Sequence, residues 1–354
     1  MAGLANTLTQ GLRAMYPNNF DKNEDRLSEY GGYALFVEDT NSPESIVSAD
    51  IIDKAKMSFG NTLSIPVIDG ADVTIGSART CTIADTENVS KLYALTFVTY
   101  QFGFTMTPAS YMNNDIKYQA DYNRKLLKYL KKFAATLDTT AIALIETDKT
   151  QVMTSPFIGV GQKYGALVGD AIQVTQAQKG LIFNDGTAIL SQDDFYGAYS
   201  VLGSQTLKST VAQYANQGAA NSTNTMFQFG DYNFGYSNRV SVGVGKESTF
   251  YAMPKGTLAT MNRNEPDAIA GSIINSDNYF ETVMVPIVDL EMGVHYFKEC
   301  ANNSGINGGS GAAGFTASVK ETFIWSTDVC FVTAYNRDIA TLPSAIFKGE
   351  ISAS

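Results

Sequence analysis

Few residues in this sequence are placed to do chemistry. The single histidine, His295, lies in a strand-like run with no nearby serine or cysteine to serve as its nucleophile, and it reads as structural. The three cysteines, Cys81, Cys300 and Cys330, are an odd set without CxxC spacing. That excludes a disulfide framework and a zinc site, and predicts buried thiols in a reducing compartment. There is no GxSxG elbow, since Gly308-Gly-Ser310-Gly-Ala312 fails at its last glycine, and there is no P-loop. Gly159-Val-Gly161-Gln-Lys-Tyr-Gly165 departs from a dinucleotide fingerprint in its last spacing and in the lack of a following helix. Three close carboxylate pairs, Asp69/Asp72, Asp193/Asp194 and Asp289/Glu291, have the composition for acid–base or glycosidic work. Asp193 and Asp194 read more simply as helix N-terminal charge, and Asp289 and Glu291 as a solvent-facing strand pair. No catalytic residue, metal ligand or cofactor site is therefore assigned.

The strongest chemical signal is basic. Lys117, Arg124, Lys125, Lys128, Lys131 and Lys132 fall in one helical segment whose nearby acids are Asp115, Asp121 and Asp138. Lys117, Arg124, Lys128 and Lys131 share one side, opposite Leu130, Phe133 and Leu137. One reading is a solvated helix face with Asp121 and Lys125 paired at i,i+4. The other is a face of Lys117, Arg124, Lys128, Lys131 and Lys132 that meets packaged nucleic acid through phosphate contacts. The whole chain carries a net charge of −10, so a dedicated nucleic-acid reader is not expected.

The elements that would carry these residues follow from pattern. The 354 residues suffice for one large domain or two to three lobes. Charged residues are only 17%, which leaves surface suited to burial against other chains or a polar, uncharged exterior. Met1 to Tyr16 holds one Arg and no continuous apolar core, so it does not read as a signal peptide, and no apolar run reaches the length of a membrane span. Residues 1–45 read as an extended or loosely helical arm broken at Asn18-Asn19, Gly31-Gly32 and Asn41-Ser42-Pro43. Residues 46–106 read as β-structure, with Met57, Phe59, Leu63, Ile65 and Val67 alternating, a turn at Asp69-Gly70, and a last strand alternating Val98, Tyr100, Phe102, Phe104 and Met106.

Thr107-Pro108 reads as a helix start, and apolar residues at helical spacing from Met112 to Ile145 predict one helix over 107–146, roughly 50–60 Å long. Ser191-Gln-Asp-Asp194 resembles a capping box for a helix carrying Phe195, Ala198, Tyr199 and Leu202. Val240, Val242 and Val244 suggest a short strand in a strand-and-loop lobe. Strands return at 282–290, 293–297, 317–325 and 329–335, and the glycine-rich tract 302–314 between them reads as a flexible loop joining two strands. The fold class is α+β.

This order of parts resembles the major capsid proteins of tailed phages, whose fold also forms the herpesvirus capsid floor. The stretch Glu321-Thr-Phe-Ile-Trp-Ser-Thr-Asp-Val-Cys-Phe-Val-Thr-Ala-Tyr-Asn-Arg-Asp338, with Pro343-Ser-Ala-Ile-Phe-Lys348, Met253-Pro-Lys-Gly256 and Val288-Asp-Leu-Glu-Met-Gly293, is similar to subunits from phages of Bacteroidetes-type hosts. The resemblance implies an N-terminal arm (1–45), an extended β-ribbon loop (46–95), a peripheral domain (96–154) with a long spine helix, an axial domain (155–275) and return strands of the peripheral domain (276–354). It implies a virion protein, assembled in the host cytoplasm, that builds hexamers and pentamers of an icosahedral shell without a cofactor. Portal, scaffolding and decoration proteins would be its partners, and packaged double-stranded DNA a non-specific one. A chain starting at Met1 without a long charged coiled-coil prefix points to a separate scaffolding protein. Some relatives cross-link a loop lysine to a neighbour's asparagine; Lys54 and Lys56 lie near the loop, but no partner is identified. The alternatives are a tail-tube or baseplate protein, a cargo-enclosing shell of the same fold, and a carboxylate hydrolase.

Overall fold

A computed structural model describes residues 30–58, 62–68, 90–111, 117–149, 156–192, 195–219, 232–285, 287–302, 317–333 and 345–353. Its first element lies in the segment expected to be extended or loosely helical: Gly31–Thr40 is a helix, α1, with Tyr33, Leu35 and Phe36 buried. Gly31 and Gly32 do not break it; they let it dock. A Cβ on Gly31 would lie 2.1 Å from the carbonyl oxygen of Tyr236, and one on Gly32 2.7 Å from the Ile142 side chain. A second helix, α2 (Ala49–Met57), replaces the β-structure expected there. The Ser48 carbonyl accepts the amides of Ile51 and Ile52, Asp50 sits in the first turn and Lys54 and Lys56 in the last, an arrangement that suits the helix dipole. The strands β1 (Thr62–Ile68) and β2 (Ser90–Thr96) then pair antiparallel, Thr62 opposite Thr96, as a separate two-stranded ribbon. The turn expected at Asp69-Gly70 lies outside the described residues.

The alternation from Val98 forms β3 (Val98–Met106), with Phe104 and Met106 buried. The cap at Thr107-Pro108 starts only a short 3-10 turn, Pro108–Tyr111. The long helix, α3, is Tyr118–Asp148 and not 107–146. Lys117 is extended, and its carbonyl accepts the amides of Ala120 and Asp121, so the helix begins afresh there. Its 31 residues span about 46 Å.

After α3 come β4 (Ala171–Val174), α4 (Ile182–Gln192), β5 (Tyr199–Ser204), α5 (Leu207–Ala219), β6 (Tyr232–Ser237) and β7 (Lys246–Pro254). The helix expected after Ser191 is absent: Ser191 ends α4, Asp193 and Asp194 are outside the described residues, and Tyr199 and Leu202 belong to β5. Every residue of β5 is buried, and a fully buried strand has the apolar density of a helix, so periodicity cannot separate them. Val240, Val242 and Val244 form no strand; Val240 is buried, Val244 is fully exposed, and Gly245 turns the chain with φ of 77°.

The chain continues through β8 (Leu258–Arg263), a five-residue helix α6 (Pro266–Ala270), β9 (Ile273–Asn275), β10 (Asn278–Val285), β11 (Leu290–Asn302), β12 (Ala317–Thr333) and β13 (Phe347–Ser352). The strands expected at 317–325 and 329–335 are one strand of 17 residues, β12. It pairs antiparallel with β11, Asn302 opposite Ala317, across the glycine-rich tract, most of which lies outside the described residues. One sheet runs β3-β12-β11-β10-β9, with β8 pairing the far end of β12; the other runs β4-β13-β7-β5-β6. The helix α3 joins them. Tyr122, Leu126, Leu130, Phe133 and Leu137 pack on the first sheet with Phe104, Phe323 and Trp325. Ala141, Ile142 and Ile145 pack with Leu35 and Phe36 of α1 and with Leu202, Tyr251 and Met253 of the second sheet. Three elements meet at Asp138, fully buried, which accepts the amide of Tyr33 at 3.0 Å, the Ser237 hydroxyl at 2.7 Å and Arg239 Nη1 at 3.3 Å.

Candidate functional site

The basic segment of α3 is organised at its start by one carboxylate. Asp121 accepts the Tyr111 hydroxyl at 2.5 Å and Arg124 at 2.8 Å, and pairs with Lys125 at 3.3 Å. The Tyr111 hydroxyl first and the Arg124 guanidinium next hold its carboxyl down at about 2. The i,i+4 pair of Asp121 with Lys125 is thus formed, with Arg124 as a second cation on the same acid. One turn further on, Lys128 and Lys132 are exposed and meet no acidic side chain among the described residues.

Arg124, Lys125, Lys128 and Lys132 line one wall of an open groove of about 730 Å3. The other wall is Gly103, Phe104 and Thr105 of β3, with Thr322 behind them. Tyr129 lies between the walls, 38% exposed, its ring parallel to Phe102 at 5.7 Å and to Phe104 at 5.8 Å. The far edge of β3 carries no strand partner among the described residues, so the groove holds free backbone donors and acceptors as well as cations. Of the five residues read from the sequence as a basic face, Arg124, Lys128 and Lys132 come together here. Lys117 is exposed before the helix, and Lys131 is half-buried toward α1, its carbonyl accepting the Tyr30 hydroxyl. Sequence reasoning missed the β3 wall and Tyr129. The signal was available in the alternation of 98–106 and the high aromatic content, but not the pairing of that strand against this helix.

The other chemical candidates lie apart. His295 stacks on Phe280 at 4.1 Å and shares a hydrogen bond of 2.9 Å with Asn278, and burial lowers its pKa. It borders a second groove, of about 600 Å3, with Arg263, Asp328 and Glu265. There Arg263 is tied to Asp328 at 3.0 Å and to the Ser58 carbonyl at 2.8 Å. Asp289 is exposed in a turn at φ of 49°, and Glu291 is exposed in β11. Asp69 and Asp72 fall outside the described residues, as does Cys81. Cys330 is buried, which pushes its thiol up to about 11. Lys54 and Lys56 are exposed on α2. Gly159, Gly161 and Gly165 occupy turns with positive φ rather than a strand-to-helix junction. Among the described residues no three His, Cys, Asp or Glu side chains cluster to hold a metal, and no helix is long and apolar enough to cross a membrane.

No protein-family model matches the chain, and no curated protein matches it. Solved structures do align over most of it at low identity. One from Mycobacterium phage Che8 is 9% identical with a TM-score of 0.49, covering 86% of this chain and 88% of its own. The capsid asymmetric unit of cyanophage Pam1 is 12% identical with a TM-score of 0.49, covering 88% and 90%. The mature capsid asymmetric unit of bacteriophage PhiM1 is 12% identical with a TM-score of 0.43, covering 83% of each chain.

Proposed function

We propose that this chain is the repeated shell subunit of a tailed-phage head, a major capsid protein that self-assembles around the genome. The observation that carries the reading is the β1–β2 ribbon. Among the described residues its two strands form a sheet of their own, and a two-stranded sheet in water is marginal at best. Its Thr96 end is rooted in the body, where Leu95 and Phe97 pack with Ala259, Met261, Cys330 and Val332. A ribbon so placed gains cover from other copies, and repeated identical contacts close into rings and shells. In this reading the β3–β12–β11–β10–β9 sheet with α3 is the peripheral domain. The second sheet with α4 and α5 is the axial domain, α3 is the spine, the ribbon is the extended loop and residues 1–45 supply the arm. Hexamers and pentamers, a virion location after assembly in the host cytoplasm, and portal, scaffolding or decoration partners belong to the same proposal. So does the similarity of 321–348 to subunits from phages of Bacteroidetes-type hosts. The cationic groove would take an anionic partner, and packaged double-stranded DNA is the assignment that charge alone suggests.

Negative-stain microscopy of the purified chain tests the proposal. Closed shells, or rings of five and six, are the expected result. Tubes would favour a tail protein, and a particle that stays monomeric across concentration would overturn the shell reading.

A further inference from the structure

The sheet that carries the groove has a second open edge. Strand β9 is its last strand, three residues long, and Ile273 and Ile274 on it are 58% and 64% exposed. Successive strand residues point to opposite faces, so both faces of β9 are bare. Ile269 of α6, just before it, is 58% exposed as well. Residues 264–279 hold Glu265, Asp267 and Asp277 and no Lys or Arg, and all three acids are exposed, Asp277 with Lys298 of β11 at 3.3 Å. The α6–β9 segment is thus an acidic tongue with isoleucines on two sides.

We propose that this tongue in one copy docks on the β3 edge of the next, with Asp267 and Asp277 facing Arg124, Lys128 and Lys132. This deepens the shell reading, on which it rests, by naming the partner of the cationic groove as a second copy of the chain. Three features of the two surfaces correspond. The open edge of β3 matches an open edge strand, which can extend the sheet by backbone hydrogen bonds. The groove is walled from both faces of β3, by Phe104 on one and Gly103 and Thr105 on the other, and the tongue is apolar on both of its faces. Tyr129 offers an exposed ring to one of the isoleucines. The charges are opposite, three exposed acids on the tongue against Arg124, Lys128 and Lys132 in the groove. A DNA backbone would answer the lysines but not the strand edge or the exposed ring. Because β3 and β9 end the sheet at opposite sides, the contact is head-to-tail, and repeated copies form a ring or an open chain of subunits.

The test uses the full chain in two charge-reversed forms, Lys128→Glu with Lys132→Glu in the groove, and Asp267→Lys with Asp277→Lys in the tongue. Each pair of changes alone is expected to abolish association beyond the monomer in sedimentation velocity, with thermal melting unchanged. Mixed together, each form's tongue is complementary to the other's groove, and alternating copies are expected to regain assembly. A chain carrying all four changes is expected to regain assembly. Zero-length carbodiimide cross-linking of the wild type is expected to join Asp267 or Asp277 to Lys128 or Lys132 between copies. Groove variants that build normal shells with less DNA would overturn the contact and leave the shell reading standing. So would wild-type shells without those cross-links. If no shells form at all, the shell reading falls, and the cross-links in small oligomers decide the contact by their presence or absence.

Discussion

Asp138 gives the sharpest test of how this fold is tied together. Its carboxylate is fully buried and serves three donors from three places: the Tyr33 amide at the head of α1, the Ser237 hydroxyl at the end of β6, and Arg239. Replacement by alanine leaves a buried N–H and a fully buried hydroxyl without that acceptor, at about 1–3 kcal/mol each. The Arg239 side chain is 25% exposed and lies over the Tyr30 ring at 5.1 Å, so water and the ring offset part of its loss. The sum is about 2–6 kcal/mol, which brackets the roughly 3–5 kcal/mol for removing one member of a buried pair. Against a typical stability of about 5–15 kcal/mol this is a large fraction. Asp138→Asn keeps the shape and one oxygen, and is expected to lose about half as much. Urea unfolding measures both, followed by the fluorescence of Trp325, the single, fully buried tryptophan, and by circular dichroism for the helices. An alanine variant that loses less than about 1 kcal/mol would refute the reasoning, because the acceptor would then be dispensable.

Leu130, fully buried between α3 and the first sheet, is expected to cost about 2–5 kcal/mol as Leu130→Ala in the same titration. Gly31→Ala is expected to lower the melting temperature by displacing α1, since the added carbon would sit 2.1 Å from the Tyr236 carbonyl; an unchanged melt would show that the helix shifts freely. Asp39 is buried, which raises its pKa from 3.8 to about 6, opposed by hydrogen bonds from the Leu258 and Gly256 amides. Between those two values the unfolded chain is ionised and the folded one protonated, so stability falls as pH rises from 4 to about 6 and is level above, by a total on the order of 3 kcal/mol. Asp39→Asn is expected to flatten that slope in denaturation curves taken across pH, and a slope unchanged in the variant would assign the effect elsewhere.

The parts of the fold that were legible are those where one period dominates. The core face of α3, the alternation of β3 and the return of β10, β11 and β12 were all readable, because one-sided burial imposes 3.6 or 2 on the sequence. The misreadings have physical causes too. Gly31-Gly32 has the composition of a break, but it marks a close approach that only tertiary packing reveals. Tyr199–Ser204 is buried on both faces and loses its alternation. Residues 49–57 mix one buried alanine with exposed lysines and a Met57 that is 78% exposed, so their helix has little apolar face to read. For the candidate site, the cations of α3 were visible as a stripe, but which of them face a groove depends on β3, a dozen or more residues earlier. That proximity is a property of the sheet, and no local pattern encodes it.

Under the proposed assembly, the distribution of burial keeps folding and association from competing. The largest core side chains, Trp325, Tyr33, Phe36 and Phe183 among them, are almost wholly covered within one copy. Among what remains open are sheet ends: the β3 edge and the β9 tongue. Natural proteins blunt such edges with charge or brevity to avoid indiscriminate pairing. Here β9 is three residues long, and β3 lies under lysines. Pairing with a stray neutral strand would leave those lysines facing apolar groups, while an acidic tongue would neutralise them. The same charges that discourage aggregation would therefore select the partner. Specificity of this kind acts through the wrong pairings it penalises as much as through the right one it favours. It follows that neutralising the groove with Lys128→Gln and Lys132→Gln would not simply weaken association. It is expected to shift it from ordered particles toward irregular aggregates, and clean monomers in light scattering would show that the lysines guard nothing.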